Sequence, residues 1–155
     1  MRLKRMYSSR EVAAITGLTA RQLQVWDADG LLPPAIPPRR TVAGGYTERR
    51  YTPIDLFELL VLADLRRRGF SVHQLHGVVR ALKDQFGTRL FEATSEGGAV
   101  RLLTDGDSIY ARTAAGEFFN LVKAPTQPLL VIGNEGLLKE LGGKAKRRSK
   151  RKAGR

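Results

Sequence analysis

Along the first half of the chain, apolar residues recur every three or four positions in four stretches, the spacing of one helix face. Beyond Gly87 the period shortens toward that of a strand. Each helical stretch opens on a hydroxyl residue followed three positions later by a side chain able to reach back: Ser8 with Glu11, Thr19 with Gln22, Thr52 with Asp55, and Ser71 with Gln74. In such a capping box the hydroxyl accepts from the N3 amide and the N3 side chain accepts from the cap's own amide, satisfying two donors that the helix leaves over. Pro53 strengthens the third start, because the first helical position has no use for an amide hydrogen. Gly17, Gly30, Gly69 and Gly87 supply matching stops. Together these signals predict helices over about 9–16, 20–29, 53–68 and 72–86.

Little more than Gly17 and Leu18 joins the first two helices, so the second must fold steeply across the first, with Val12, Ile15, Leu18, Leu23 and Trp26 meeting between them. That is the helix-turn-helix arrangement. Pro33, Pro34, Pro37 and Pro38, followed by Gly44 and Gly45, exclude helix from the next segment and predict a loop with a short hairpin. Tyr46 and Tyr51 flank Glu48, Arg49 and Arg50 on one side of the glycine turn, with Arg39 and Arg40 on the other. A cationic hairpin beside a recognition helix reads as a wing that straddles phosphates.

The third helix is expected to bury Ile54, Phe57, Val61 and Leu65, widened by Leu59, Leu60 and Leu62. Its final Arg66, Arg67 and Arg68 suit the negative pole of the helix dipole and solvation better than direct phosphate contact. The fourth repeats Val72, Leu75, Val78, Val79, Leu82 and Phe86 as an amphipathic stripe. Further on, Val100 to Leu103 and Ile109 to Arg112 flank Asp105-Gly106, a hairpin signal that makes Asp105 and Asp107 turn residues rather than a catalytic pair. Strands over Phe118 to Val122 and Leu129 to Ile132 complete a small antiparallel sheet, and a helix is expected over Glu135 to Leu141. From Gly142 onward nothing apolar exceeds alanine, so a disordered tail is expected.

A hydrophobic fraction of 42% and a charged fraction of 27% are those of a soluble globular protein. Arg2, Lys4 and Arg5 precede no apolar stretch of the secretory kind, and no run is long enough to cross a bilayer, so a cytoplasmic location is expected. The absence of cysteine excludes disulfides, thiolate metal sites and thiol redox sensing. His73 and His76, without cysteine or a carboxylate pair, make a poor metal site and read as solvated helix positions. The net charge of +12 is unevenly placed: residues 1–82 hold 13 Lys/Arg against 7 Asp/Glu, residues 83–143 hold 6 against 8, and residues 144–155 hold 8 against none. Two basic ends point to a polyanionic partner, which charge alone leaves open among DNA, RNA and anionic lipid.

The ordered landmarks narrow the choice. Tyr7-Ser8 with Glu11-Val12-Ala13, Thr16-Gly17-Leu18-Thr19, Arg21-Gln22-Leu23, Trp26-Asp27 and Gly30-Leu31-Leu32-Pro33 are followed by Gly45-Tyr46, Arg50-Tyr51, Asp55-Leu56, Leu65, Arg67 and Gly69-Phe70-Ser71. In this order, over about residues 6–82, the chain resembles the MerR family of bacterial transcriptional regulators. The resemblance implies a winged helix-turn-helix with its second helix in the major groove of double-stranded DNA, presenting Thr19, Ala20, Arg21, Gln22, Gln24 and Val25. With Ser8 and the wing residues Arg39, Arg40, Tyr46, Arg49 and Arg50, these form the expected DNA-binding set. Gln24 and Val25 stand where the family commonly has arginine and tyrosine, and the wing is longer than usual. Typical members also continue into a long helix that pairs with its twin, which Gly87 and the strand pattern interrupt here.

The expected fold class is therefore α+β: a DNA-binding domain over 1–86, a small sheet module over 87–141 for self-association or a protein partner, and a basic tail over 142–155. The expected function is a sequence-specific, homodimeric transcriptional regulator that needs no cofactor, metal, membrane or small-molecule effector and is not an enzyme. An antitoxin-like autoregulator and an architectural, excisionase-like DNA-bending factor are the alternatives.

Overall fold

All four helix starts close as capping boxes in the computed structural model, which describes residues 3–130. Strand β1 (Tyr7–Ser8) leads into α1 (Ser9–Thr16), and a three-residue turn leads to α2 (Ala20–Ala28). After the wing come β2 (Arg50–Tyr51), α3 (Pro53–Arg67), α4 (Val72–Phe86) and a four-residue α5 (Leu90–Ala93). A four-stranded antiparallel sheet follows in sequential order: β3 (Val100–Thr104), β4 (Ile109–Thr113), β5 (Phe118–Asn120) and β6 (Ala124–Leu129). The α+β class and the sheet follow the reading of the sequence; the expected helix over 135–141 and the tail over 142–155 lie outside the described residues.

The turn between α1 and α2 is held by the buried Thr16, whose hydroxyl donates to Val12 O at 2.7 Å and accepts from Leu18 N at 3.2 Å. Gly17, at φ 77°, closes α1 with a backbone bond to Ala13 O. A side chain there would be strained in the left-handed region. Leu23 and Trp26 from α2 then pack with Val12 and Leu18. Burying side chains of this size is worth about 1.5–3 kcal/mol each, which sets α2's roll about its own axis. Ile15 departs from expectation: it is half exposed on the outer face of α1.

The buried face of α3 is rotated from the one read from spacing. Leu56, Leu59, Leu62, Ala63 and Leu65 are inside, together with Asp55 and Glu58, whereas Ile54 and Phe57 each remain 40% exposed. An apolar stripe that runs most of the way round a helix leaves its core side to be chosen by its neighbours, here α1, β2 and α5. The arginines at its end bond within the protein: Arg66 donates to Phe70 O and Arg68 pairs with Asp64 at 3.0 Å, both within one turn, while Arg67 reaches across to Thr16 O at the end of α1.

Two elements were not legible from periodicity. The β1–β2 pair, Tyr7 opposite Tyr51 and Ser8 opposite Arg50, is too short to show a period. Helix α5 is a single turn. Tyr51, expected beside the wing, is instead fully buried in the core; its hydroxyl has no hydrogen-bond partner among the described residues, and burial pushes its pKa up to about 12. A strand runs over 124–129, ahead of the expected 129–132, of which residues 131–132 lie outside the described residues. Asn120 ends β5 by accepting at its side-chain oxygen from Val122 N and Lys123 N. Pro125 and Pro128 are tolerated in β6 because it is an edge strand.

Buried residues of the sheet (Val100, Ile109, Ala111 and Phe119) and of the turn after β5 (Leu121) belong to one continuous core with those of the helices. Phe86 at the end of α4 meets Phe119 edge to face at 5.3 Å. Arg89, between α4 and α5, pairs with both buried carboxylates of α3.

Candidate nucleic-acid interface

The surface around α2 is built by division of labour along one short helix. Thr19 and Gln22 cap it: the threonine hydroxyl accepts from Gln22 N at 3.0 Å and the glutamine carbonyl accepts from Thr19 N at 2.9 Å. Leu23 and Trp26 face inward, 1% and 2% exposed. Thr19, Ala20, Arg21, Gln24 and Val25 are left on the outer face, all exposed. No described acidic side chain pairs with Arg21, so its guanidinium is presented with its donors unspent among the described residues.

The wing rises beside this face as an irregular hairpin. Ile36 and Arg50 exchange both backbone bonds at 3.1 Å, Thr47 N donates to Arg39 O at 2.7 Å, and Thr41 N donates to Gly45 O at 2.6 Å, leaving Gly44 at the tip with φ 92°. Arg39, Arg40, Tyr46 and Arg50 are exposed along it. At its base Arg49 behaves differently: its Nε donates to Asp27 Oδ2 at 2.8 Å, with both side chains mostly covered. Ser9 Oγ donates to Arg49 O, and Arg10 N donates to Glu48 Oε1. These three bonds tie the wing to both helices of the turn motif, so the exposed face of α2 and the cationic hairpin are held in one register. Between them lies a groove of about 460 Å³ lined in part by Ser9, Ala20, Gln24, Pro38 and Tyr46.

Nine of the twelve expected residues thus stand exposed on one α2-and-wing surface. The other three have structural duties: Ser8 caps α1, Gln22 caps α2, and Arg49 anchors the wing. Arg10 was missed by the sequence reading. Its side chain is 95% exposed at the rim of the same groove, 4.0 Å from Glu48. The available signal was a cation in the first turn of a helix, where the dipole disfavours one.

Elsewhere, His73 and His76 line a shallow cavity with Asp29 and Arg80, and no group of three potential metal ligands occurs among the described residues. Asp105 is a turn residue, as expected: its Oδ1 accepts from Asp107 N and Ser108 N, and these bonds hold its carboxyl below the usual range. Among the described residues no helix is long and apolar enough to cross a membrane.

Residues 7–82 match the family described as MerR HTH family regulatory protein. Over 137 residues, the chain is 28% identical to an uncharacterized HTH-type transcriptional regulator of Mycobacterium tuberculosis, covering 88% of this chain and 56% of that protein. It therefore spans little more than half the length of that relative. Because 137 of 155 positions are aligned, the similarity runs through the four-stranded sheet as well as the helices. The HTH-type transcriptional regulator CueR of Vibrio cholerae is 32% identical over 74 residues, 48% of this chain and 49% of that one. Among solved structures, a MerR family transcriptional regulator from Bacillus cereus covers 48% of this chain and 51% of its own at 27% identity, with a TM-score of 0.38. HiNmlR, a MerR family regulator lacking the sensor domain and bound to promoter DNA, covers 45% and 48% at 31% identity, with a TM-score of 0.34.

Proposed function

Since residues 7–82 form a helix-turn-helix domain of the MerR family, we propose that this chain is a sequence-specific transcriptional regulator that reads double-stranded DNA with α2 and clamps the flanking phosphates with its wing. One observation carries the reading: Leu23 and Trp26 fix α2 from behind while Arg21, Gln24 and Val25 face outward beside a wing locked in place by Arg49 and Asp27. Arg21 suits bidentate contact to guanine N7 and O6, and Gln24 to adenine, each worth about 1–3 kcal/mol of discrimination. Arg10, Arg39, Arg40 and Arg50 supply contacts that position the protein without reading sequence.

The family's inverted-repeat operators suggest a homodimer, and the sheet module is the part of the chain left to join the two copies or to hold a protein partner. With no cysteine, the chain senses neither thiol oxidation nor a thiolate-bound metal. It acts in the cytoplasm, on DNA, and without catalysis.

Footprinting on the DNA upstream of its own gene tests the reading. Protected sequence is expected, and Arg21→Ala should narrow the affinity gap between that sequence and random DNA by about 5- to 150-fold. Equal binding of wild-type protein to both DNAs would refute it.

A further inference from the structure

The four-stranded sheet ends in two edges that are built differently. On β6, Pro125 and Pro128 remove amide donors, and the register slips between Phe119 and Asn120 where β6 meets β5. Prolines and bulges are devices that keep an edge from accepting another strand. β3 carries neither: its residues pair with β4 without a slip, and no strand among the described residues lies on its other side.

Two bonds fix which backbone groups of β3 are free. Ala114 N donates to Ala99 O at 3.0 Å, and Leu121 N donates to Ile109 O at 2.8 Å. In an antiparallel ladder, pairs that exchange both bonds alternate with pairs that exchange none. Arg101 and Leu103 therefore turn their peptide groups toward β4, whereas Leu102 and Thr104 turn theirs to the open side. On the sheet face away from the core, Leu103 is 42% exposed. The charge along this edge changes sign: Arg101 stands near its start, and Asp105 directly follows its end. Glu96 lies 4.0 Å from Arg101 but is itself 90% exposed, a contact too long and too wet to hold the arginine. A strand with opposite charges at its ends is complementary to its own antiparallel copy.

We infer that the β3 edge joins two copies of this chain, the strands pairing antiparallel about a two-fold axis at Leu103 to make one continuous eight-stranded sheet. This register sets Leu102 opposite Thr104 of the other copy, so that the peptide groups left free on each strand are satisfied. It covers Leu103 with its own counterpart and brings Arg101 opposite Asp105 of the other copy. A two-fold axis at Arg101 would set the two arginines against each other, and one at Leu102 would set Arg101 against Leu103. The inference rests on the homodimer proposed above and supplies its surface.

The chain has no cysteine, so Leu103→Cys introduces a single thiol. In an antiparallel pair of the kind that exchanges no bonds, the two Cα atoms lie about 4.5 Å apart, within disulfide reach. Mild oxidation of the full chain is expected to cross-link Leu103→Cys and not Leu129→Cys, an exposed position on the opposite edge strand. Sedimentation equilibrium without DNA supplies the second arm. Wild-type protein is expected to be a dimer, and Leu103→Lys, with an unchanged circular dichroism spectrum, to associate about tenfold more weakly, because the symmetry brings the two new charges face to face. Wild-type protein that sediments as a monomer would overturn the inference and the homodimer together. A dimer undiminished in Leu103→Lys, or no preferential cross-link in Leu103→Cys, would overturn the β3 edge alone and place the contact elsewhere, on residues 131–155 for example. Neither result bears on the footprint, which tests DNA reading separately.

Discussion

Arg89 and Glu58 are 31 positions apart in sequence, yet the guanidinium of one donates through Nε to the carboxylate of the other at 2.7 Å. Asp55 shares the same arginine, so two carboxylates that are almost wholly buried on α3 lean on the single guanidinium of a residue between α4 and α5. Removing one partner of a buried pair is worse than never having had the pair, because the stranded charge keeps its desolvation cost. Arg89→Ala is accordingly expected to lower stability by about 1–3 kcal/mol, less than for a fully buried pair because the arginine is half exposed. Urea unfolding measures the loss, and Arg89→Lys should recover part of it.

The pairing of Arg49 with Asp27 separates two kinds of wing arginine. Arg49→Ala and Asp27→Ala should each weaken DNA binding by loosening the wing, and the double variant should cost little more than either alone, since the two residues act as one unit. Arg40→Ala, at an exposed position, should instead reduce the salt dependence of binding by about one phosphate's worth, close to 0.9 in slope. Fluorescence anisotropy over a salt series distinguishes the cases.

Tyr51 carries a buried hydroxyl with no partner among the described residues, so Tyr51→Phe is expected to be neutral or to stabilise by up to about 1 kcal/mol. The raised pKa gives a second readout. Below about pH 10 the phenol is neutral in both the folded and the unfolded chain; between there and about 12 only the unfolded chain ionises. Stability should therefore fall as pH rises through that window, and fall less in Tyr51→Phe, as followed by urea midpoints across the pH range.

Residues 144–155 carry eight cations and no acid. Truncation before Lys144 should lower DNA affinity and flatten its salt slope while leaving the operator-to-random ratio unchanged, because contacts to phosphate carry no sequence information. An unchanged slope in the truncated protein would mean that the tail does not touch DNA.

Helix boundaries were written locally. A capping hydroxyl, its partner three residues on, and a following glycine interact within one or two turns, so Ser8, Thr19, Thr52 and Ser71 announced their helices to within a residue. The Asp105-Gly106 hairpin was legible for the same reason, and so was the outer face of α2, because Leu23 and Trp26 leave only one side for Arg21 and Gln24. Tertiary structure decided what depends on neighbours far along the chain. It chose which side of the broadly apolar α3 faces inward, and it drew Tyr51 from the wing into the core. It also turned Arg49 from a free cation into a strut against Asp27, and joined Arg89 to Asp55 and Glu58 across the junction. The physical reason is range: capping and turn chemistry is satisfied within a few residues, whereas burial and the pairing of buried charge are settled only where distant segments meet.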